Sequence, residues 1–189
     1  MIRLRNPIEQ WGWLSLVIGG IIWTGFHIWY LLFGNINNST EIIPVVWILG
    51  VGTIFLLLGS LSLYLSAANI GVKGGLGITM IGMAFFSIGT ILTSFLTSSA
   101  FLLAIIGEMI TTIGLLIFGI ANFWERILGI LFWLPLLMVP IYFLSWSVDP
   151  GASRIPLENW TEWLAVLFGL SWVIVGIGFY GQLNKSNGV

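Results

Sequence analysis

Glu108 and His27 are the residues of this 189-residue chain whose types and positions point most directly to chemistry. Glu108 stands in Ile105-Ile106-Gly107-Glu108-Met109-Ile110-Thr111-Thr112, and no other acidic residue falls so far inside a long apolar stretch. A carboxyl group in such surroundings is costly unless protonated or paired, so an ionisable group there is a functional candidate by default. His27 is the only histidine, set in Trp23-Thr24-Gly25-Phe26-His27-Ile28-Trp29. Counted along helices rising about 1.5 Å per residue, Glu108 falls about 12 to 15 Å below the surface at its end of the bilayer, and His27 about 9 Å below it. The two can meet if the helices that carry them are neighbours. Near the same level fall Thr24, Thr53, Ser87, Thr90, Thr93, Thr111, Thr112, Tyr142 and Ser171, which makes a polar layer in one half of the bundle.

Two readings of this layer compete. In one, hydroxyls bond back to carbonyls of their own helices, His27 is neutral, and a protonated Glu108 bonds to a neighbour. In the other, Glu108 exchanges a proton while a small ligand or ion occupies the layer, with His27, Thr24, Thr90, Thr111, Thr112 and Tyr142 as binding candidates. The sequence therefore leads us to expect binding or transport of a small ligand or ion. The alternative is a non-catalytic membrane subunit or regulator that packs against proteins, lipids or pigments.

The elements that must hold these residues follow from composition. The chain is 58% hydrophobic and only 7% charged, with a mean hydropathy of +1.07. A soluble domain carries about a quarter charged residues, so a polytopic membrane protein is expected. Six apolar segments appear, at about 11 to 33, 44 to 66, 75 to 97, 99 to 122, 126 to 146 and 160 to 182. Each has the roughly 20 residues that a helix needs to cross a bilayer. Continuous apolar runs, without the alternation of barrel strands, predict an all-α bundle of six transmembrane helices in a single domain. The first segment is too long for a signal-peptide core and offers no cleavage site. The third and fourth are expected to meet in a tight turn through Leu96 to Ala100.

With a cytoplasmic amino terminus, Arg3, Arg5, Lys73, Arg126 and Lys185 all fall inside and only Arg154 outside. That bias predicts two cytoplasmic termini. On this map Asn37-Asn38-Ser39-Thr40 is an outer polar turn, with meaning as a glycosylation acceptor only in a eukaryotic secretory compartment. Most tryptophans fall near helix ends, where indoles settle among headgroups. Trp23, Trp29, Trp133 and Trp172 lie deeper and are expected to fill space between helices or face lipid, rather than to stack on a ligand.

Gly12/Gly19, Gly52/Gly59, Gly82/Gly89, Gly107/Gly114 and Gly169/Gly176 are spaced seven apart, giving five of the six helices a smooth stripe for close approach. The fifth segment carries Pro135 and Pro140 instead, which predicts a kink and makes these two prolines candidates for a helix gate. PIEQW at Pro7 to Trp11 and PLENW at Pro156 to Trp160 read as one helix-entry device used twice. In each, proline suits the first turn, glutamate meets the positive end of the dipole, and tryptophan sets the depth.

Several chemistries are excluded. With no cysteine there are no disulfides, thiolate metal sites or cysteine nucleophiles. A net charge of -1 with no basic patch argues against nucleic acid as a partner. One histidine cannot ligate haem from both sides, and no lysine lies in mid-membrane to form a retinal Schiff base. One His and one Glu on different helices make no metal site, and no GxSxG stretch offers a hydrolase nucleophile. Gly71-Val72-Lys73-Gly74-Gly75-Leu76-Gly77 lacks the spacing of a phosphate loop. No catalytic residue and no cofactor is expected, although a single pigment ligated by His27 stays compatible with the sequence. The partners expected are the lipid bilayer and either further copies of the chain or a membrane subunit.

From Gly114 to Gly181 the chain carries Gly-x-x-x-x-Gly-Ile-Ala-Asn, then Glu-Arg-Ile-Leu-Gly, a proline-bearing helix and Trp-Leu-Ala-Val-Leu-Phe-Gly-Leu-Ser-Trp-Val. This stretch resembles the second half of small bacterial six-span membrane proteins to which no activity is attached. The resemblance implies a six-span topology in a bacterial cytoplasmic membrane, and no activity.

Overall fold

The computed structural model describes residues 7–33, 46–95, 100–147 and 158–186. They form six α-helices, α1 Pro7–Phe33, α2 Trp47–Ser66, α3 Ile70–Phe95, α4 Phe101–Glu125, α5 Leu134–Ser147 and α6 Glu158–Ser186, and no strand is present among them. A short 3-10 helix, Gly129–Leu131, precedes α5. Five helices are long and apolar enough to cross a membrane. An all-helical, integral membrane bundle is thus what the apolar runs build. The expected turn at residues 96–99, the Asn37 to Thr40 stretch, Pro156, Arg3, Arg5 and Arg154 lie outside the described residues.

The fifth segment departs from expectation. Its helix begins at Leu134 rather than Arg126 and is 14 residues long, about 21 Å at 1.5 Å per residue. The physical reason lies in residues 122 to 133. Arg126 takes a left-handed conformation at φ 50°, ending α4, and its N–H donates to the Asn122 carbonyl at 2.7 Å. Gly129 follows at φ 59°. The wholly buried Asn122 side chain then holds the turn from within. Its Oδ1 accepts from the Leu128 N–H at 3.2 Å, and its Nδ2 donates to the Phe132 carbonyl at 2.9 Å. Pro135 consequently sits in the first turn of α5, where its missing donor is not needed and produces no kink by itself. Pro140 alone lies inside the helix, on an exposed face.

The third helix also starts earlier than expected, because Asn69 caps it. Its Oδ1 accepts from the N–H groups of Gly71 and Val72 at 2.6 and 3.3 Å. Its Nδ2 donates to Glu125 at 2.9 Å, tying the beginning of α3 to the end of α4. Lys73 lies over the Tyr64 ring and Arg126 over that of Phe132, so both cations gather at this end of the bundle.

Each helix packs antiparallel on the one before it, and α6 closes the ring on α1. The register is legible in the small residues. Gly12 faces Ser62 and Gly19 faces Gly52, joining α1 to α2; Gly50 faces Thr90, joining α2 to α3. Gly82 faces Thr111 and Gly89 faces Ala104 across the most extensive seam, α3 with α4. Gly20 faces Gly169, and Trp13 lies on Gly176 and Tyr180, which closes α1 on α6. A Cβ at Gly75, Gly82, Gly89, Gly107 or Gly114 would run into the facing backbone. These stripes therefore work as backbone-to-backbone seams, the close approach that drives helix association where lipid removes the hydrophobic incentive.

The inside of the ring is filled with rings. Trp23 of α1 reaches Phe86 of α3, Tyr142 of α5 and Phe168 of α6, with centroids 5.5, 6.3 and 5.4 Å away. Trp23 and Trp172 are buried at 1% and 0% exposure, whereas Trp29 and Trp133 face outward at 39% and 42%.

Candidate functional site

The residues expected to form one polar layer separate into distinct groups. On the α4/α5 side, Glu108 is half-buried at the edge of the face that α4 turns toward α5. Tyr142 of α5 is 2% exposed, and its hydroxyl lies within reach of the Thr111 side chain and of the Glu108 carboxyl. The Tyr142 ring stacks on Phe168 at 4.4 Å, which fixes the hydroxyl in position. Among the described residues the Glu108 carboxyl has no hydrogen-bond or ion-pair partner.

On the α1/α6 side, His27 Nδ1 lies 2.6 Å from Glu162 Oε2. His27 is 6% exposed, and the Glu162 side chain remains partly accessible at 21%. A carboxylate only accepts hydrogen bonds, so Nδ1–H donates to Glu162 in this pairing, and in the neutral imidazole that leaves Nε2 as an acceptor. One turn away, the Thr24 hydroxyl donates to the Val166 carbonyl at 3.5 Å, a second tie between the same helices.

His27 is therefore bonded to α6 and not to Glu108, because α1 packs on α2 and α6 whereas α4 packs on α3 and α5. Trp23 stands between the two groups, its ring 5.6 Å from that of His27 and 6.3 Å from that of Tyr142.

Most hydroxyls of the layer are satisfied within their own helices. Thr90 donates to the carbonyls of Phe86 and Ser87, both at 3.0 Å, Thr111 to Gly107 at 2.8 Å and Thr112 to Glu108 at 2.9 Å. Thr53, Thr93 and Ser171 do the same with Leu49, Gly89 and Leu167. Ser87 is different, donating across to the Gly50 carbonyl of α2 at 2.9 Å. Back-bonding of this kind lets a hydroxyl sit in an apolar bundle without a ligand. Besides Glu108, the buried side-chain atoms left without a partner among the described residues are His27 Nε2, the indole nitrogens of Trp23, Trp160 and Trp172, and Ser66 Oγ.

Glu162 is the residue that sequence reasoning missed. It lies inside the expected sixth segment, but at its beginning, where a carboxylate reads as an interfacial charge complementing the helix dipole. The signal that could have found it is topological. In a closed antiparallel ring the first and last helices are neighbours, so a histidine shortly before the end of one meets a carboxylate shortly after the start of the other. Trp23 is buried as a space-filling ring would be, but its indole N–H has no partner among the described residues.

Among the described residues no three His, Asp or Glu side chains are grouped to hold a metal ion. Comparisons with protein-family models, with curated proteins and with solved structures gave no match.

Proposed function

We propose that this chain is a six-span protein of a bacterial cytoplasmic membrane, with both termini cytoplasmic, that binds a small cation in its outer half at Glu108. The observation that carries the reading is a half-buried carboxyl that has no partner among the described residues, near a buried tyrosine. An unpaired carboxylate in low dielectric attracts either a proton or a cation, and exchange of one for the other is the simplest chemistry open to it. The Tyr142 hydroxyl lies within electrostatic reach of it, and Thr111 is three residues along the same helix, so both offer neutral oxygen atoms on that side. Pro140, which leaves the Leu136 carbonyl without its helical donor, makes α5 the helix best suited to adjust when the site is occupied.

The filled interior favours a second reading, in which the chain is a packing subunit and Glu108 is merely protonated. Thermal unfolding of the purified protein in the presence of sodium, potassium, ammonium or tetramethylammonium ions separates the two. One of these cations should raise the melting temperature of the wild type, since a ligand at 100 times its Kd adds about 2.7 kcal/mol. Glu108→Gln should abolish that rise. A wild type indifferent to all four, or a rise retained in the variant, defeats the binding reading.

A further inference from the structure

Two neighbouring side chains in the core each present a buried nitrogen without a partner. His27 is 6% exposed and Trp23 1%. Nε2 of His27 and Nε1 of Trp23 are both sealed from solvent and unbonded. The residues are four apart on α1, so their side chains lie one above the other on one face, and their ring centroids are 5.6 Å apart. Buried polar atoms are nearly always bonded, and each exception calls for an explanation.

The chemistry of the two nitrogens is complementary. The indole N–H can only donate. In the neutral imidazole with its Nδ1–H donated to Glu162, Nε2 presents a lone pair and accepts. They cannot both be satisfied by a pure donor or a pure acceptor. A hydroxyl oxygen meets both needs, receiving from Trp23 and donating to His27. An oxygen about 2.9 Å from each of two nitrogens bridges a gap of up to about 5.8 Å, a reach compatible with ring centroids 5.6 Å apart. Phe86, Tyr142 and Phe168 lie against the Trp23 ring, so the surroundings of the two nitrogens are apolar.

We infer that Trp23 and His27 hold one small hydroxyl-bearing molecule, water or a short alcohol, between Nε1 and Nε2, and that Glu162 fixes the imidazole tautomer the site requires. The inference shares the polar layer with the cation reading, but it involves neither Glu108 nor any transport, so either can fail alone.

The single histidine gives a direct test. The full chain, carrying ring-labelled 15N-histidine, is placed in lipid nanodiscs and its one imidazole is examined by nitrogen NMR. The expected spectrum shows a protonated Nδ1 and an unprotonated, hydrogen-bonded Nε2 with magnetisation transfer from a hydroxyl proton. Transfer from solvent water identifies the occupant as water. Replacement of that transfer by one from ethyl protons on adding ethanol identifies an alcohol site. In Trp23→Phe the Nε2 signal should move toward that of an unbonded nitrogen. An Nε2 that is protonated, or unprotonated and unbonded, in the wild type overturns the inference whatever the variant does. So does an Nε2 signal that is identical in a folded Trp23→Phe protein.

Discussion

At the scale of single residues, polar groups in this bundle divide into those that lock structure and those with capacity left over. Asn122 belongs to the first kind, since its amide serves both the Leu128 N–H and the Phe132 carbonyl at the turn between α4 and α5. Asn122→Ala leaves that buried N–H unsatisfied and should cost about 1–3 kcal/mol, read as a lower melting temperature. The pair of His27 and Glu162 joins the first helix to the last. A double-mutant cycle of His27→Ala and Glu162→Ala should give a coupling energy of about 1–3 kcal/mol, whereas simple additivity would show that the pair contributes nothing to ring closure. Glu108 was legible in the sequence because a carboxyl in an apolar run stands out without any knowledge of the fold. Glu162 was not, because its meaning depends on which helix lies beside it, and the apolar periodicity of a membrane segment says little about neighbours.

Among the elements, the glycine stripes were the most informative sequence feature. A spacing of seven returns to nearly one face of a helix, and the seams of α3 with α4 and of α1 with both α2 and α6 use those faces. Gly107 and Gly74 offer a clean contrast. A side chain on Gly107 would meet the backbone of Phe86, whereas one on Gly74 would meet nothing within 4 Å. Gly107→Leu should therefore lower stability by about 1–3 kcal/mol or prevent assembly, with Gly74→Ala neutral or slightly stabilising. Equal tolerance of both would refute the seam. The fifth helix starts later than its apolar run for a local reason. Hydropathy carries on through Ile127 to Trp133, but a left-handed Arg126 and Gly129 end one helix and delay the next, and apolar content does not report backbone handedness.

For the whole molecule, the antiparallel ring brings the start of α1 and the finish of α6 to one end, where Trp13 packs on Tyr180 at 4.6 Å. If α5 crosses the bilayer with the other five, both termini lie on one side. The chain has no cysteine, so single cysteines introduced at Arg3, Asn38 and Ser186 report without background. Arg3→Cys and Ser186→Cys should be labelled by an impermeant reagent from the cytoplasmic side, and Asn38→Cys from the other. Labelling of the two terminal positions from opposite sides would make α5 a helix that does not span. The central claim concerns Glu108, and infrared difference spectroscopy of the protein in lipid reads its carboxyl group directly. Addition of the stabilising cation should produce a change in the carboxyl C=O region that is missing from Glu108→Gln. The same change in wild type and variant, or none in the wild type on saturation with that cation, would contradict the account.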